Sequence, residues 1–209
     1  MIFSAAILAV VLGYTWVIEP IVPNWVTPIP VALVLALAIW HAFHAGVDPR
    51  GRAIGRDWGL KPAAFLPALW TSVAFTAAAG IGIYVAGLQL GTWHGQRDAG
   101  MTLLALIPWG FGQQFALDTV FLREAQATCG RSAGIVLAAA LFAALHLPNP
   151  FLSAMTFAGA LAWCWIYDRH PNLLPLALSH ALLTLEILSA FDERLTGHLR
   201  VGAAYLRLR

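Results

Sequence analysis

The chain has 209 residues, of which 60% are hydrophobic and only 11% are charged, and its mean hydropathy is +0.74. This composition is typical of a polytopic membrane protein rather than a soluble domain. The formal charge of +2 and the absence of a basic stripe between aromatic residues argue against nucleic-acid binding, and two cysteines are too few for a disulfide framework.

Apolar segments close to the length of a bilayer span recur along the chain. A span needs about 20 residues of helix, so the sequence predicts a single all-α integral membrane domain over residues 1–209 that crosses about seven or eight times. The N-terminal segment lacks the basic start of a secretory signal and is interpreted as part of the first span. The predicted spans are residues 2–18, 27–46, 63–89, 101–122, 133–147, 151–167 and 172–190, followed by an amphipathic tail at 191–209.

The segment 47–62 is the one long polar connection, and it contains three arginines and Lys61. By the positive-inside rule it lies in the cytoplasm. Alternation of the spans then places Arg123 and Arg131 on the same side and the basic tail on the opposite side. In residues 196–209 basic side chains are separated by small and apolar ones, which is the pattern of an interfacial helix.

The second predicted span closes with His41 and His44, next to Trp40. The simplest interpretation is that these side chains anchor the helix at the membrane interface. A spacing of three residues could also bring two imidazoles to one metal ion, or allow one of them to bind a haem or a chlorophyll-type pigment.

A few strongly polar side chains lie inside the later spans. At membrane depth each ionisable one costs from about 2.5 kcal/mol upward, so each needs a partner or a function. In the fourth span Gln114 and Asp118 are four residues apart and share a helix face, and in the last span His180 and Thr184 have the same spacing. Hydrogen-bonded cross-links between helices would explain the amides and the hydroxyl equally well. We predict one buried polar cluster of Gln113, Gln114, Asp118, His146, His180 and Thr184.

The fifth span ends in the sequence LFAALHLPNP, residues 141–150. Prolines at 148 and 150 cannot continue a helix, so the helix is expected to stop at His146. Because irregular backbone cannot face lipid, a hydrated cavity is expected beside this histidine. The small residues of AGALAW, residues 158–163, should allow a neighbouring helix to approach closely.

Residues 58–190 resemble the CPBP family of intramembrane proteases, also called the Abi or CAAX-protease-like family. The resemblance is carried by Phe142 and His146, which match the family's Phe-x-x-x-His motif, and by His180, which starts its His-x-x-x-Asn motif with Thr184 in the asparagine position. It implies an intramembrane endopeptidase fold acting on membrane-proximal peptides, and a location in the inner membrane of a bacterium.

The first family motif, Glu-Glu-x-x-x-Arg, is altered in this chain. Gln113 and Gln114 occupy the glutamate positions, and Asp118 occupies the arginine position. The resemblance implies that the glutamate activates water while the later histidine and asparagine stabilise the oxyanion. A glutamine amide can orient water but cannot accept its proton.

Three hypotheses follow. Asp118 could replace the missing carboxylate, with His146 as its partner, His180 and Thr184 at the oxyanion and both glutamines positioning water. Alternatively, the protein is a pseudoenzyme, a protease-like scaffold that binds a peptide, a lipid or a partner membrane protein without cutting it. Thirdly, it is a subunit of a larger membrane complex in which His41, His44 or His146 contacts a haem or pigment. The sequence identifies no definite cofactor. Zinc could bind His146, His180 and Asp118, but it is a weaker alternative because no His-Glu-x-x-His spacing is present.

Overall fold

The computed structural model describes residues 1–22, 26, 28–43, 46–47, 53–54 and 58–208. The fold is the all-α bundle that the composition predicts, with one small antiparallel pairing of two-residue strands. The elements in chain order are α1 (Ile2–Gly13), the π-helical turn π1 (Tyr14–Ile18), α2 (Pro28–Phe43), β1 (Gly46–Val47), β2 (Ala53–Ile54), a 3-10 turn (Pro62–Ala64), α3 (Phe65–Leu90), α4 (Ala99–Gln114), π2 (Phe115–Phe121), α5 (Leu122–Cys129), α6 (Arg131–Ala144), α7 (Pro150–Arg169), α8 (Leu173–Ala190), α9 (Glu193–Thr196), a 3-10 turn (Gly197–Leu199) and α10 (Gly202–Leu206).

Each predicted span corresponds to a helix or helical run in the described part of the chain. By length and composition, Pro62–Leu90, Pro150–Arg169 and Leu173–Ala190 can each cross a membrane. Three shorter apolar helices, Ile2–Ile18, Ile29–Phe43 and Arg131–Ala144, fall below that length. The fourth predicted span is the middle of a longer helical run formed by α4, π2 and α5. The chain is therefore an integral membrane protein of helical architecture.

Helix α8 packs against α3 and α4, while α6 packs against α5 and α7. Glycines permit the two approaches to α8. A side chain at Gly87 would lie 2.7 Å from the carbonyl oxygen of Ala190, and one at Gly110 would lie 3.0 Å from that of Ala177. In a membrane such small-residue contacts replace the hydrophobic effect as a source of helix association.

A carboxylate from α5 caps the first helix. Glu124 accepts hydrogen bonds from the backbone N–H groups of Phe3 (3.2 Å) and Ser4 (2.8 Å) and from the Ser4 hydroxyl (2.7 Å). It thus satisfies donors that a helix start leaves unpaired, and its charge is favourable at the positive end of the helix dipole. The same end of the bundle contains the ion pair between Arg131 and Asp168. We call this the Glu124 end.

Replacing Glu124 with alanine should lower the free energy of unfolding by about 2 kcal/mol, since the unpaired backbone donors are partly buried. The measurement is the apparent Tm of the purified protein in detergent at a fixed heating rate. Glu193→Ala is the control, because the Glu193 side chain is 77% exposed and pairs only with His198 among the described residues. Equal losses in both variants would contradict the assigned capping role.

The tail, residues 191–209, differs from the single interfacial helix that its pattern predicts. It consists of α9, a 3-10 turn and α10, because Gly197, His198 and Gly202 have positive φ angles of 59°, 54° and 56°. It folds back on the bundle: the Gly202 N–H donates to the Leu147 carbonyl at 2.8 Å. We call this side of the bundle the Asn149 end. The tail therefore lies at the opposite end of the bundle from Arg123 and Arg131, as the alternation of the spans predicts. That the end with Arg123 and Arg131 faces the cytoplasm stays a prediction.

Candidate binding and active site

A cavity of about 600 Å³ lies between α1, α2 and the helices of the motif-bearing half of the chain. Its volume falls within the range of about 300–1,000 Å³ usual for ligand sites. The walls are mostly apolar, as the side chains of Val11, Phe142 and Leu183 illustrate. Polar side chains that reach it include Glu19, Gln113, His146, His180 and Thr184.

His146 lies in the irregular segment between α6 and α7. Helix α6 ends at Ala144, two residues earlier than predicted, and α7 begins at Pro150. The ring nitrogen Nδ1 lies 2.8 Å from the Phe142 carbonyl oxygen. A carbonyl can only accept, so Nδ1 carries the proton and donates it. This leaves Nε2 as the nitrogen that can contact a ligand in the cavity.

His180 is held more tightly, in the middle of the bundle. It is 7% exposed, and its ring stacks on the Trp163 indole with centroids 4.7 Å apart and planes 3° apart. Trp163 is fixed in turn by a hydrogen bond from its Nε1 to the Ser179 hydroxyl at 3.0 Å. The Gln114 amide nitrogen lies 3.0 Å from His180 Nδ1. With the amide in this orientation Nδ1 accepts, so the ring proton is on Nε2.

Both imidazoles contact the same aromatic ring. The Phe142 centroid lies 5.0 Å from that of His146 and 6.4 Å from that of His180. The structure thus brings the two histidines to one cavity, as the helix stripes indicated, and the cavity expected beside His146 is present. The cavity therefore presents the unprotonated Nε2 of His146 and the Nε2–H of His180.

The two glutamines point in different directions. Gln113 lines the cavity, whereas Gln114 is fully buried against α8, where it contacts His180. Neighbouring residues on a helix are about 100° apart, so they cannot both face one ligand. Only Gln113 is available to a molecule in the cavity.

Asp118 lies apart from this site. It is fully buried within π2, does not line the cavity, and lies near the Cys164 thiol of α7. Thr184 does line the cavity, but its hydroxyl donates to the His180 backbone carbonyl at 2.9 Å. The carboxylate that the first hypothesis assigns to catalysis is therefore buried outside the cavity, and the hydroxyl that it places at the oxyanion donates within its own helix.

Gly159 leaves room for an aromatic side chain of its own helix. A side chain there would lie 2.8 Å from the indole of Trp163, one turn later in the same helix. The space left by this glycine is filled by Trp163, and that places the indole against His180.

His41 does not contribute to the cavity. It is 7% exposed in α2 and packs edge-on to Phe3, with ring centroids 5.1 Å apart. His44 lies outside the described residues. Across the described part of the chain no group of three His, Cys, Asp or Glu side chains is close enough to hold a metal ion.

Two residues of the site escape the sequence analysis. Trp163 gives no signal of its own, since indoles are common in membrane spans. Glu19 does give one: it is a carboxylate next to Pro20, directly after an apolar run. That position indicates only a helix end, and the packing of α1 against distant helices decides that it reaches the cavity.

Residues 95–185 match the family model described as "Type II CAAX prenyl endopeptidase Rce1-like". A search of curated proteins and a search of solved structures gave no match. The matched segment contains both glutamines, Asp118 and both cavity histidines, while Glu19 lies before it. Residues 95–185 are therefore similar to the Rce1-like family of type II CAAX prenyl endopeptidases, and the predicted resemblance to CAAX-protease-like proteins is confirmed over this part of the chain.

Proposed function

We propose that this peptidase-like membrane protein binds a membrane-proximal peptide in the cavity without hydrolysing it, in the cytoplasmic membrane of a bacterium. The observation that carries the proposal is the position of the amides and of the nearest carboxylate. Gln113 faces the cavity where the family has a glutamate, and Asp118 is buried away from it. The cavity thus contains both motif histidines and presents an amide at the position where the resemblance implies a glutamate.

Loss of the carboxylate has a large expected effect on rate. A positioned general base contributes about 10²–10⁴-fold to a hydrolytic step. The Gln113 amide cannot supply this contribution because it has no basic lone pair at neutral pH. His146 retains a bare Nε2, but the group that would orient it, Phe142, offers only a backbone carbonyl rather than a carboxylate.

The two imidazoles suit the recognition of a peptide group. His146 Nε2 can accept from a backbone N–H, and His180 Nε2–H can donate to a backbone carbonyl. The apolar walls accommodate the side chains of a membrane segment. In an apolar cavity each such hydrogen bond also relieves the cost of leaving a peptide dipole unpaired.

The proposal is tested with the protein reconstituted in liposomes and a dansyl-labelled apolar peptide. We expect binding without fragments detectable by mass spectrometry. His146→Ala should weaken binding by roughly 2- to 10-fold, the equivalent of one hydrogen bond. His94→Ala is the matched control, because its Nδ1 likewise lies near a backbone carbonyl, that of Thr92 at 2.9 Å, but the ring does not line the cavity.

Cleavage of the peptide by the wild-type protein would overturn the proposal. If that cleavage were then lost in both His146→Ala and Asp118→Asn, the endopeptidase hypothesis with Asp118 as the carboxylate would replace it. Loss in His146→Ala alone would point to the histidine without Asp118.

A further inference from the structure

Glu19 gives the cavity a defined charge. Among the described residues that line the cavity it is the sole carboxylate, and none is a lysine or an arginine. The family match begins at residue 95, so this side chain belongs to a part of the chain that the match does not cover. An apolar cavity with a single acidic group favours a ligand that is apolar along most of its length and cationic at one point.

The backbone around Glu19 strengthens this preference. Glu19 follows π1 directly, and its N–H donates to the Tyr14 carbonyl at 2.8 Å, so it occupies the last turn of the first helical run. The carbonyl end of a helix carries partial negative charge and attracts cations. The Glu19 carboxylate and the carbonyl end of the helix therefore both attract a cation to this part of the cavity.

Glu19 lies at the Asn149 end of the bundle, directly after the first predicted span, residues 2–18. The adjacent turn contacts the tail, because a side chain at Gly202 would lie 2.4 Å from the Thr15 carbonyl oxygen. From there the cavity wall continues along α1 through Val11 to Ile7. A bound segment can thus place apolar residues along α1 while its end reaches the carboxylate at the interface.

We propose that the bound peptide carries a lysine beside its apolar segment and that the Glu19 carboxylate pairs with the lysine ammonium. Lysines commonly flank membrane segments, with their charge held at the interface. Glu19 follows the first apolar helical run directly and lies on the wall of a mostly apolar cavity. This inference rests on the proposed function, since it specifies the peptide bound at the same site.

The test compares two dansyl-labelled apolar peptides of the same sequence. One has a flanking lysine, and in the other this lysine is acetylated at Nε and has no charge. The Kd of each is measured with the reconstituted wild-type protein. The lysine peptide should bind about fivefold more tightly, as expected for a partly screened ion pair. Raising the salt concentration should reduce this preference.

Glu19→Gln should abolish the preference, so that the two peptides bind with equal Kd, and measurable binding of the acetylated peptide shows that the variant is folded. Glu193→Gln, in the tail and outside the cavity lining, should retain the preference. Equal binding of the two peptides to wild type, or a preference that survives Glu19→Gln, would overturn this inference while peptide binding stands. Failure of both peptides to bind would instead overturn the proposed function, and this inference with it.

Discussion

Replacing Asn149 with alanine should lower the free energy of unfolding by about 3 kcal/mol. The side chain is fully buried, and its Oδ1 accepts from the Leu152 N–H at 3.0 Å, which caps α7. Its Nδ2 donates to the carbonyls of Thr196 at 2.8 Å and Arg200 at 3.1 Å. The loss combines about 1 kcal/mol for the cap with the cost of two carbonyls left without a donor. For a chain of this length the apparent Tm should fall by roughly 6–12 °C.

The tail should also come loose, because two of the three lost hydrogen bonds hold it. Trypsin should therefore cut at Arg194, Arg200 and Arg207 faster in Asn149→Ala than in wild type. Asn172→Ala is the matched control: Asn172 caps α8 through the Leu174 N–H at 3.2 Å and donates to the Lys61 carbonyl at 3.0 Å, at the Glu124 end. It should destabilise the fold without exposing the tail. Identical tail cleavage in the two variants would contradict the role given to Asn149.

Release of the tail should change access to the cavity as well. Leu199 and Val201 belong to the cavity wall, so the tail closes part of the Asn149 end. The sequence PNP at 148–150 thus does more than end a helix. The two prolines form the turn that contains His146. Asn149, between them, holds the tail segment that contributes Leu199 and Val201 to the cavity wall.

Local pattern was sufficient to predict the helices. Apolar runs of span length gave the helical segments, and the prolines around Asn149 gave the break after α6, within two residues. Spacing within one helix also brought His180 and Thr184 to the same wall. These features depend on neighbouring residues along the chain, where periodicity and the backbone limits of proline decide the outcome.

The separation of Asp118 from the cavity has a different physical origin. The spacing of Gln114 and Asp118 predicts that both side chains lie on one face of a helix, but it does not determine which neighbouring helix covers that face. Helix α4 presents Gln113 to the cavity and Gln114 to α8, and the wider turn of π2 begins at Phe115. A π-turn changes the register of everything after it, and such turns recur at functional sites.

Glu19 and the tail could not be predicted because their positions depend on non-local contacts. The Gly202 N–H finds its acceptor at Leu147, 55 residues away, and the resulting packing brings α10 against π1. No pattern within either segment encodes that pairing. Positive φ angles at Gly197 and His198 then interrupt what reads as a continuous amphipathic helix.

Returning a carboxylate to position 113 should restore hydrolysis. Gln113→Glu places the new group on the cavity wall, where it can accept a proton from water as the water oxygen attacks the peptide carbonyl carbon. That proton then passes to the leaving nitrogen as the C–N bond breaks, so the base is regenerated. We expect cleavage of the bound peptide at a rate about 10²–10⁴-fold above wild type. Incorporation of one ¹⁸O atom from labelled water into the new carboxyl terminus measures it.

Gln114→Glu is the matched control, because it adds the same carboxylate one residue later, on the face that contacts His180 and is closed to the cavity. It should bind peptide and leave it intact. If Gln113→Glu binds peptide yet produces no fragments, the missing base is not what separates this protein from a peptidase. In that case the hydroxyl of Thr184, which donates within its own helix rather than into the cavity, becomes the deficient group. Gln113→Glu combined with Thr184→Asn then decides between one missing group and two.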